Sequence, residues 1–169
     1  FYLNKNNNLY VGFKRLSIID LSKNGMQPIK SYNNKYTIFF NGEIYNYQKL
    51  KTLLFTFNNH IKYKSNSDTE VLANSFEYLG IDRTLELIEG QFAIALYNNE
   101  NSKLYLIRDK FGEKPLYYGN INNSFVFGSE LKSFINFPDF NNRISKKSIE
   151  LYLRFLNVPS PLSIFEKIY

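Results

Sequence analysis

The chain has 169 residues, of which 44% are hydrophobic and 21% charged, a composition that excludes intrinsic disorder and a coiled coil. Its 21 lysines and arginines against 15 acidic residues give a net charge of +6, but they are scattered, so nucleic-acid binding is not expected. The absence of cysteine excludes disulfides, cysteine-ligated zinc and a thiol nucleophile within the chain, and no apolar run is long enough to span a membrane.

The front of the chain predicts strands followed by a helix. Approximately alternating apolar residues predict one strand over residues 9–20 and a second over residues 35–40. The dipeptide Asn41-Gly42 tolerates positive φ and predicts a tight turn after the second strand. Apolar side chains three or four positions apart predict a helix over residues 47–57.

A second helix is predicted by a start signal and a stop signal. Ser67 and Glu70 form a capping-box pattern, in which the serine caps the helix and the glutamate reaches back to it. Gly80 is a favoured C-terminal stop. The remaining predicted elements are a short helix over 83–88, a hairpin of strands 91–97 and 103–108, strands 116–119 and 124–127, a short helix over 129–137, and a last helix capped by Ser145.

Strands and helices therefore fall into separate runs, which predicts an α+β fold with antiparallel sheets rather than a doubly wound parallel sheet. The sequence lacks the glycine-rich patterns that cradle phosphate groups, so no nucleotide-binding loop is expected within it. The chain begins at Phe1 without a methionine or a signal segment and stops inside the apolar run 164–169. Both ends predict a piece of a longer protein that is not secreted.

Arg15 is the first candidate for chemistry, because its guanidinium interrupts an otherwise apolar strand. Its structural interpretation is an ion pair with Asp20 or Asp109, since buried charges are normally paired internally. Its functional interpretation is a bidentate clamp on the carboxylate of a substrate. Composition favours the structural interpretation.

The second candidate group consists of Asn41, Gly42, Glu43 and Asp68, each of which also has a structural explanation. The first three could form an exposed hairpin turn, and a carboxylate in the first turn of a helix is stabilised by the helix dipole. Functionally, the asparagine amide and the glycine N–H could stabilise an oxyanion, while the two carboxylates could bind an ammonium group. Together with Arg15, these charges are complementary to a free α-amino acid.

Eight motifs then occur in order along the chain, and several motifs at compatible spacing are far more specific than any one of them. They are RLSIIDL (15–21), QP (27–28), FNGEIYN (40–46), SDTEV (67–71), GQFA (90–93), RDKFG (108–112), KPLYY (114–118) and SELK (129–132). With these motifs the chain resembles, over almost its whole length, the glutaminase domain of glutamine-hydrolysing asparagine synthetases. The charges of RDKFG are interpreted mainly as a structural network at a bend.

The resemblance implies a class II glutamine amidotransferase with the N-terminal-nucleophile hydrolase fold, in which two antiparallel sheets lie between helical layers. In that family an N-terminal cysteine attacks the glutamine amide, and its own α-amino group acts as the base. A thioester forms, and the ammonia passes through an internal tunnel to an ATP-dependent domain that amidates a β-aspartyl-adenylate.

The resemblance also assigns roles to individual residues. Arg15 would hold the α-carboxylate of glutamine, with the backbone of Ile19 nearby. Glu43 and Asp68 would hold its α-ammonium group. The segment Asn41-Gly42 would form the oxyanion hole, and Asn41 would also contact the substrate. These are expectations carried over from the family.

The resemblance divides the chain into a glutaminase domain over 1–138, truncated at its front, and a connection over 139–169 towards a synthetase domain. The family's nucleophilic cysteine and the Arg-Gly-Pro-Asp segment that follows it are absent, so they are expected upstream of Phe1. The 169 residues alone are therefore expected to be inactive. No cofactor or metal site is expected within them, whereas ATP and magnesium belong to the synthetase domain.

The expected partners are glutamine, the synthetase domain and aspartate as the ammonia acceptor, with no nucleic acid and no membrane. The expected location is the cytoplasm, and a homodimer is left open as the assembly. Two alternatives remain. A related amidotransferase could use another acceptor, for example in surface polysaccharide biosynthesis, and a non-catalytic homologue could bind glutamine without hydrolysing it.

Overall fold

Two long strands, at residues 36–44 and 90–98, form the centre of the main sheet. The computed structural model describes residues 2–4, 8–14 and 25–169. The chain folds into two compact units, Phe1–Lys114 and Pro115–Tyr169. The division expected at residue 138 concerns the connection to a further domain, and it stays a prediction.

The described part of the first unit contains strands and helices in separate runs. In chain order they are β1 (Tyr2–Asn4), β2 (Leu9–Val11), β3 (Ile29–Lys30), β4 (Tyr36–Ile44), α1 (Tyr47–Phe57), α2 (Asp68–Leu79), α3 (Ile81–Leu87), β5 (Gly90–Asn98) and β6 (Leu104–Arg108). Every strand pair is antiparallel. The prediction of an α+β fold with antiparallel sheets is confirmed.

The main sheet has the strand order β3-β4-β5-β6, and the core lies where α1 and α2 pack against it. Alternate residues of β4 and β5 face the helices, because successive side chains of a strand point to opposite sides. The fully buried members of this core include Ile38, Ile94 and Leu96. Phe39, on the opposite face of β4, is also buried and contacts the ring of Tyr2 edge to face, with the ring centroids 5.5 Å apart. Both faces of the central strands are therefore covered.

The tight turn predicted at Asn41-Gly42 does not exist, because β4 continues through both residues to Ile44. The glycine is required for another reason. A Cβ atom at Gly42 would overlap the carbonyl oxygen of Gln91 on β5, and its backbone adopts a φ of +154°. The glycine signal thus marks a close approach of two strands rather than a reversal of the chain.

The structure confirms both long helices at the predicted positions. Ser67 accepts a hydrogen bond from the N–H of Thr69, and Gly80 follows the last residue of α2 with a φ of +81°. The other half of the predicted capping box is wrong. The carboxylate of Glu70 does not bind the N–H of the cap residue Ser67 and instead accepts hydrogen bonds from the N–H groups of Lys64 and Ser65.

The predicted strand over 9–20 is confirmed only in its first part, as β2. Residues 12–14 lie beyond the end of that strand, and residues 15–20 lie outside the described residues. The hairpin predicted from the spacing of 91–97 and 103–108 is confirmed by the pairing of β5 with β6.

The second unit combines a hairpin, two helices and a small core of its own. Its elements are β7 (Tyr117–Ile121), β8 (Ser124–Gly128), α4 (Lys132–Ile135) and α5 (Lys146–Phe155). The core contains Ile121, Phe134 and Ile168. The predicted cap of the last helix is confirmed, because the side chain of Ser145 accepts a hydrogen bond from the N–H of Ser148. None of the described helices is both long and apolar enough to cross a membrane.

Candidate functional site

The end of β4 carries three of the residues singled out from the sequence. Asn41, Gly42 and Glu43 lie opposite Ala93, Phe92 and Gln91 of β5, in that order. The pairing with β5 is continuous through these three residues, whereas β3 pairs with β4 only at Thr37 and Ile38. The three residues therefore sit on a rigid part of the sheet rather than on a flexible turn.

Two glycines allow the strands to approach closely at this point. A Cβ atom at Gly90 would overlap the carbonyl oxygen of Glu43, just as one at Gly42 would overlap that of Gln91. The chain beyond β4 is also fixed, because the N–H of Tyr45 donates to the carbonyl of Glu89 over 2.7 Å. The backbone around Glu43 is thus fixed from both sides of the residue.

Asp68 reaches the same place from another element. It is the first residue of α2, and its Oδ2 accepts a 3.0 Å hydrogen bond from the N–H of Ile44. That N–H belongs to the peptide group joining Glu43 to Ile44. The start of α2 and the end of β4 are therefore tied together at Glu43, although the two segments are 24 residues apart in sequence.

The carboxylate of Asp68 is buried, with 4% of the residue exposed. Its second oxygen has longer contacts, 3.4 Å to the hydroxyl of Ser67 and 3.5 Å to that of Thr69. Burial raises the pKa of Asp68, and the hydrogen bonds from Ile44 and its neighbours oppose that rise without cancelling it. Within the described part of the chain no lysine or arginine forms an ion pair with it. Such a carboxylate favours a cation as its ligand.

The structure thus brings four predicted site residues into one region: β4 carries Asn41-Gly42-Glu43, and the N–H of the next residue, Ile44, donates to Asp68. Arg15 and Ile19, the other two, lie outside the described residues. Their assignment to the α-carboxylate of a substrate stays a prediction.

Comparison with known families gives this region its context. The family model of the glutamine amidotransferase domain matches residues 2–169 of the sequence. The chain belongs to the glutamine amidotransferase domain family. It is 40% identical over 157 residues to asparagine synthetase (glutamine-hydrolyzing) 1 of Bacillus subtilis (strain 168), covering 90% of this chain and 23% of that protein. It is 37% identical over 166 residues to a probable asparagine synthetase of Acanthamoeba polyphaga mimivirus, covering 95% and 29% of the two chains.

This amidotransferase domain spans less than a third of the length of either relative. Among solved structures it resembles the glutamine phosphoribosylpyrophosphate amidotransferase of Bacillus subtilis complexed with ADP and GMP. The TM-score is 0.57 and the identity 26%, over 68% of this chain and 26% of that one. The domain therefore has the N-terminal-nucleophile hydrolase fold that the family resemblance implied.

The RDKFG motif of the amidotransferase domain forms a structural loop, as predicted. The carboxylate of Asp109 accepts backbone N–H groups from Phe92, Phe111, Glu113 and Lys114 at 2.8–3.2 Å. Burial acts to raise the pKa of Asp109, but these four hydrogen bonds outweigh it and lower the pKa below the ordinary value. The guanidinium of the preceding arginine donates to two carbonyl oxygens of the same loop.

Two further residues of the amidotransferase motifs hold the backbone around β4, and sequence reasoning assigned no role to either. The side-chain amide of Gln27 accepts from the N–H of Phe40 and donates to its carbonyl, over 2.6 and 2.8 Å. Asn46 donates to the carbonyl of Leu87 and accepts from the N–H of Glu89. Their presence in family motifs was the available signal, but their partners are distant in sequence. The described residues contain no cluster of three or more side chains suited to hold a metal ion.

Proposed function

We propose that this domain hydrolyses the side-chain amide of glutamine, and that the complete protein is an asparagine synthetase that passes the ammonia to ATP-activated aspartate. Membership of the glutamine amidotransferase family supports the first part. Relatives named as glutamine-hydrolysing asparagine synthetases, which this chain matches over 90% and 95% of its length, support the second.

The observation that carries the proposal is the buried carboxylate of Asp68 at the end of β4. A buried ionised group is costly unless it is paired, and this one has neutral donors around it among the described residues. The α-ammonium group of glutamine would supply the missing positive charge. Glu43, whose peptide group binds Asp68, would be the second carboxylate on that ammonium group.

The oxyanion hole would lie immediately before Glu43 in the same strand. The amide of Asn41 and the N–H of Gly42 would donate to the oxygen that becomes negative when the glutamine amide is attacked. A donor of this kind contributes about 3 kcal/mol to lowering the barrier, provided that it is already in position. Gly42 meets that condition, because its close approach to Gln91 fixes its backbone.

The nucleophile would be a cysteine elsewhere in the complete protein, since the chain itself has none. The thiol would pass its proton to an α-amino group, whose ordinary pKa is near 8. The sulfur would then bond to the amide carbon, the C–N bond would break, and the proton would leave with ammonia. Water would hydrolyse the thioester to glutamate and restore the thiol.

Arg15 and the backbone of Ile19 complete the proposed glutamine site on the carboxylate side. A guanidinium is suited to this task because it binds a carboxylate through two parallel hydrogen bonds. ATP and magnesium would act in the synthetase domain, so this chain would need neither for glutamine hydrolysis.

The test uses the complete protein with aspartate, ATP and magnesium, and supplies nitrogen either as glutamine or as ammonium chloride. We expect asparagine from both nitrogen sources, and glutamate from glutamine. If glutamine is hydrolysed but no asparagine forms, the ammonia acceptor is not aspartate. Glutamine binding without hydrolysis would make the protein a non-catalytic homologue, and no binding at all would overturn the proposal.

A further inference from the structure

Glu70 is almost entirely buried, yet it is not one of the residues expected to touch glutamine. Its carboxylate accepts hydrogen bonds from the N–H of Lys64 at 2.9 Å, and from the N–H and the hydroxyl of Ser65 at 2.8 and 2.6 Å. It therefore holds the segment that leads into α2, one turn before Asp68.

From Glu70 a chain of hydrogen bonds leads to the end of β4. The hydroxyl of Ser65 donates to Glu70 and accepts from the N–H of Ser67 at 3.3 Å. The hydroxyl of Ser67 lies 3.4 Å from Oδ1 of Asp68, whose Oδ2 binds the N–H of Ile44 at 3.0 Å. The relay thus connects Glu70 to Asp68 through two serines.

This arrangement differs from an ordinary capping box in what it fixes. In a capping box the glutamate binds the N–H of the cap residue and stabilises only the first turn of the helix. Here Glu70 leaves that N–H to Ser65 and holds two earlier residues, so the cap residue Ser67 is held by the segment in front of it. The hydroxyl of Ser67, together with that of Thr69 at 3.5 Å, contacts the oxygen of Asp68 that does not bind Ile44.

We propose that Glu70 is a positioning residue for glutamine binding, acting through Ser65 and Ser67 to hold the Asp68 carboxylate in the orientation that receives the α-ammonium group. This inference rests on the proposed function and adds to it. A carboxylate in the wrong rotamer loses a charge-assisted hydrogen bond to its ligand even when its own charge is retained. Glu70 therefore affects the KM for glutamine without touching it.

The experiment compares steady-state glutamine hydrolysis by the complete protein and its variants Glu70→Gln, Asp68→Asn, the double variant and Glu77→Gln. The amide of Glu70→Gln preserves the shape of the side chain but turns an NH₂ group towards donors. Glu77 is the matched control, since its carboxylate lies on the same helix and also accepts a backbone N–H, that of Asn33, away from Asp68.

We expect Glu70→Gln to raise the glutamine KM about tenfold, the equivalent of one lost hydrogen bond, with kcat and ammonia-dependent synthesis unchanged. Glu77→Gln should leave the KM unchanged. In the Asp68→Asn background, Glu70→Gln should raise the KM no further, because a residue that acts only through Asp68 has nothing left to position.

The outcomes separate this inference from the proposed function. If Asp68→Asn leaves the KM unchanged, the proposed role of Asp68 fails. If Asp68→Asn raises the KM but Glu70→Gln does not, or if the two effects add, the proposed role of Glu70 is wrong while the proposed function still stands. Should Glu70→Gln not fold, Ser65→Ala interrupts the same relay with a smaller change. Equal loss of glutamine-dependent and ammonia-dependent activity in Ser65→Ala would mean a purely structural role and would overturn the inference.

Discussion

Asp68, at the start of α2, and Asp109, directly after β6, are both buried aspartates that bind backbone of the main sheet, but their surroundings are opposite. Asp109 accepts four backbone N–H groups, and its pKa is lowered. Asp68 accepts the N–H of Ile44 at 3.0 Å and interacts with the backbone N–H of Thr69 and two hydroxyl groups at 3.4 and 3.5 Å, but burial outweighs these contacts and its pKa is raised. The fold itself supplies Asp109 with its hydrogen-bond donors. The carboxylate of Asp68 can still accept hydrogen bonds from a ligand.

The two carboxylates can therefore be distinguished without reference to the family. A residue whose hydrogen bonds are all internal contributes to stability, and its removal should affect every activity of the protein. A residue with a raised pKa and few donors costs stability in the free protein, and its removal should affect ligand binding. Three predictions examine this distinction, starting with the largest effect.

Replacing Asp109 with alanine should destabilise the loop that follows β6. The substitution leaves four backbone N–H groups without their acceptor, and we expect a loss of about 3 kcal/mol. Hydrogen exchange of the amides of residues 92, 111, 113 and 114, followed by mass spectrometry, measures the loss locally. Ammonia-dependent and glutamine-dependent synthesis should both decline on mild heating. Unchanged protection of these amides would contradict the structural role.

Replacing Asp68 with asparagine should have the opposite pattern. Asparagine keeps an oxygen for the N–H of Ile44 but removes the charge, so the glutamine KM should rise about thirtyfold or more, as for a lost charge-assisted hydrogen bond. The midpoint of thermal unfolding at neutral pH should stay the same or increase, because an unfavourably buried charge has been removed. Ammonia-dependent synthesis should be retained. If Asp68→Asn loses as much stability as the Asp109 variant, the contrast between a ligand-binding and a structural aspartate is wrong.

Lowering the pH should change the contributions of the two aspartates to folding stability in opposite directions. The raised pKa of Asp68 means that ionised Asp68 disfavours folding, so its contribution to stability is greatest below the ordinary aspartate pKa of about 4 and declines as the pH rises through the raised value. The contribution of Asp109 is present above about 4 and is lost as the pH falls through its lowered value.

Under the proposed function, protonation of Asp68 removes the partner of the glutamine ammonium group. The KM for glutamine should therefore rise as the pH falls towards and through the raised pKa of Asp68. The Asp68→Asn variant, in which Glu43 is retained, is the control, and its KM should lose that part of the pH dependence. An identical profile in both proteins would assign the titration to another group.

Local features of this fold were predictable, and features that depend on distant partners were not. The spacing of Leu50 and Leu54 predicts α1, and Ser67 with Gly80 predicts α2, because each signal acts within a few residues. The Asn41-Gly42 prediction failed because a glycine can serve a turn or a close approach equally well. Only the position of β5 decides between the two uses.

The candidate site shows the same division. The residue types of Glu43 and Asp68 pointed to ammonium binding, and in the structure the N–H of Ile44, next to Glu43, donates to the side-chain carboxylate of Asp68. The hydrogen bonds of Glu70 to Lys64 and Ser65 replaced the expected bond to its own helix cap, and sequence spacing could not show this. The burial that raises the pKa of Asp68 likewise results from packing of elements far apart in the chain.

The pairing of β4 with β5 also bears on how the protein is made. Ile44 ends β4, but its partner Gly90 and the rest of β5 leave the ribosome roughly fifty residues later, a delay of several seconds at ordinary rates of translation. Throughout that interval the strand that carries Asn41 and Gly42 has apolar side chains on both faces and lacks its longest neighbour. Until β5 has been made, synthesis in cells therefore leaves this strand exposed to misassociation.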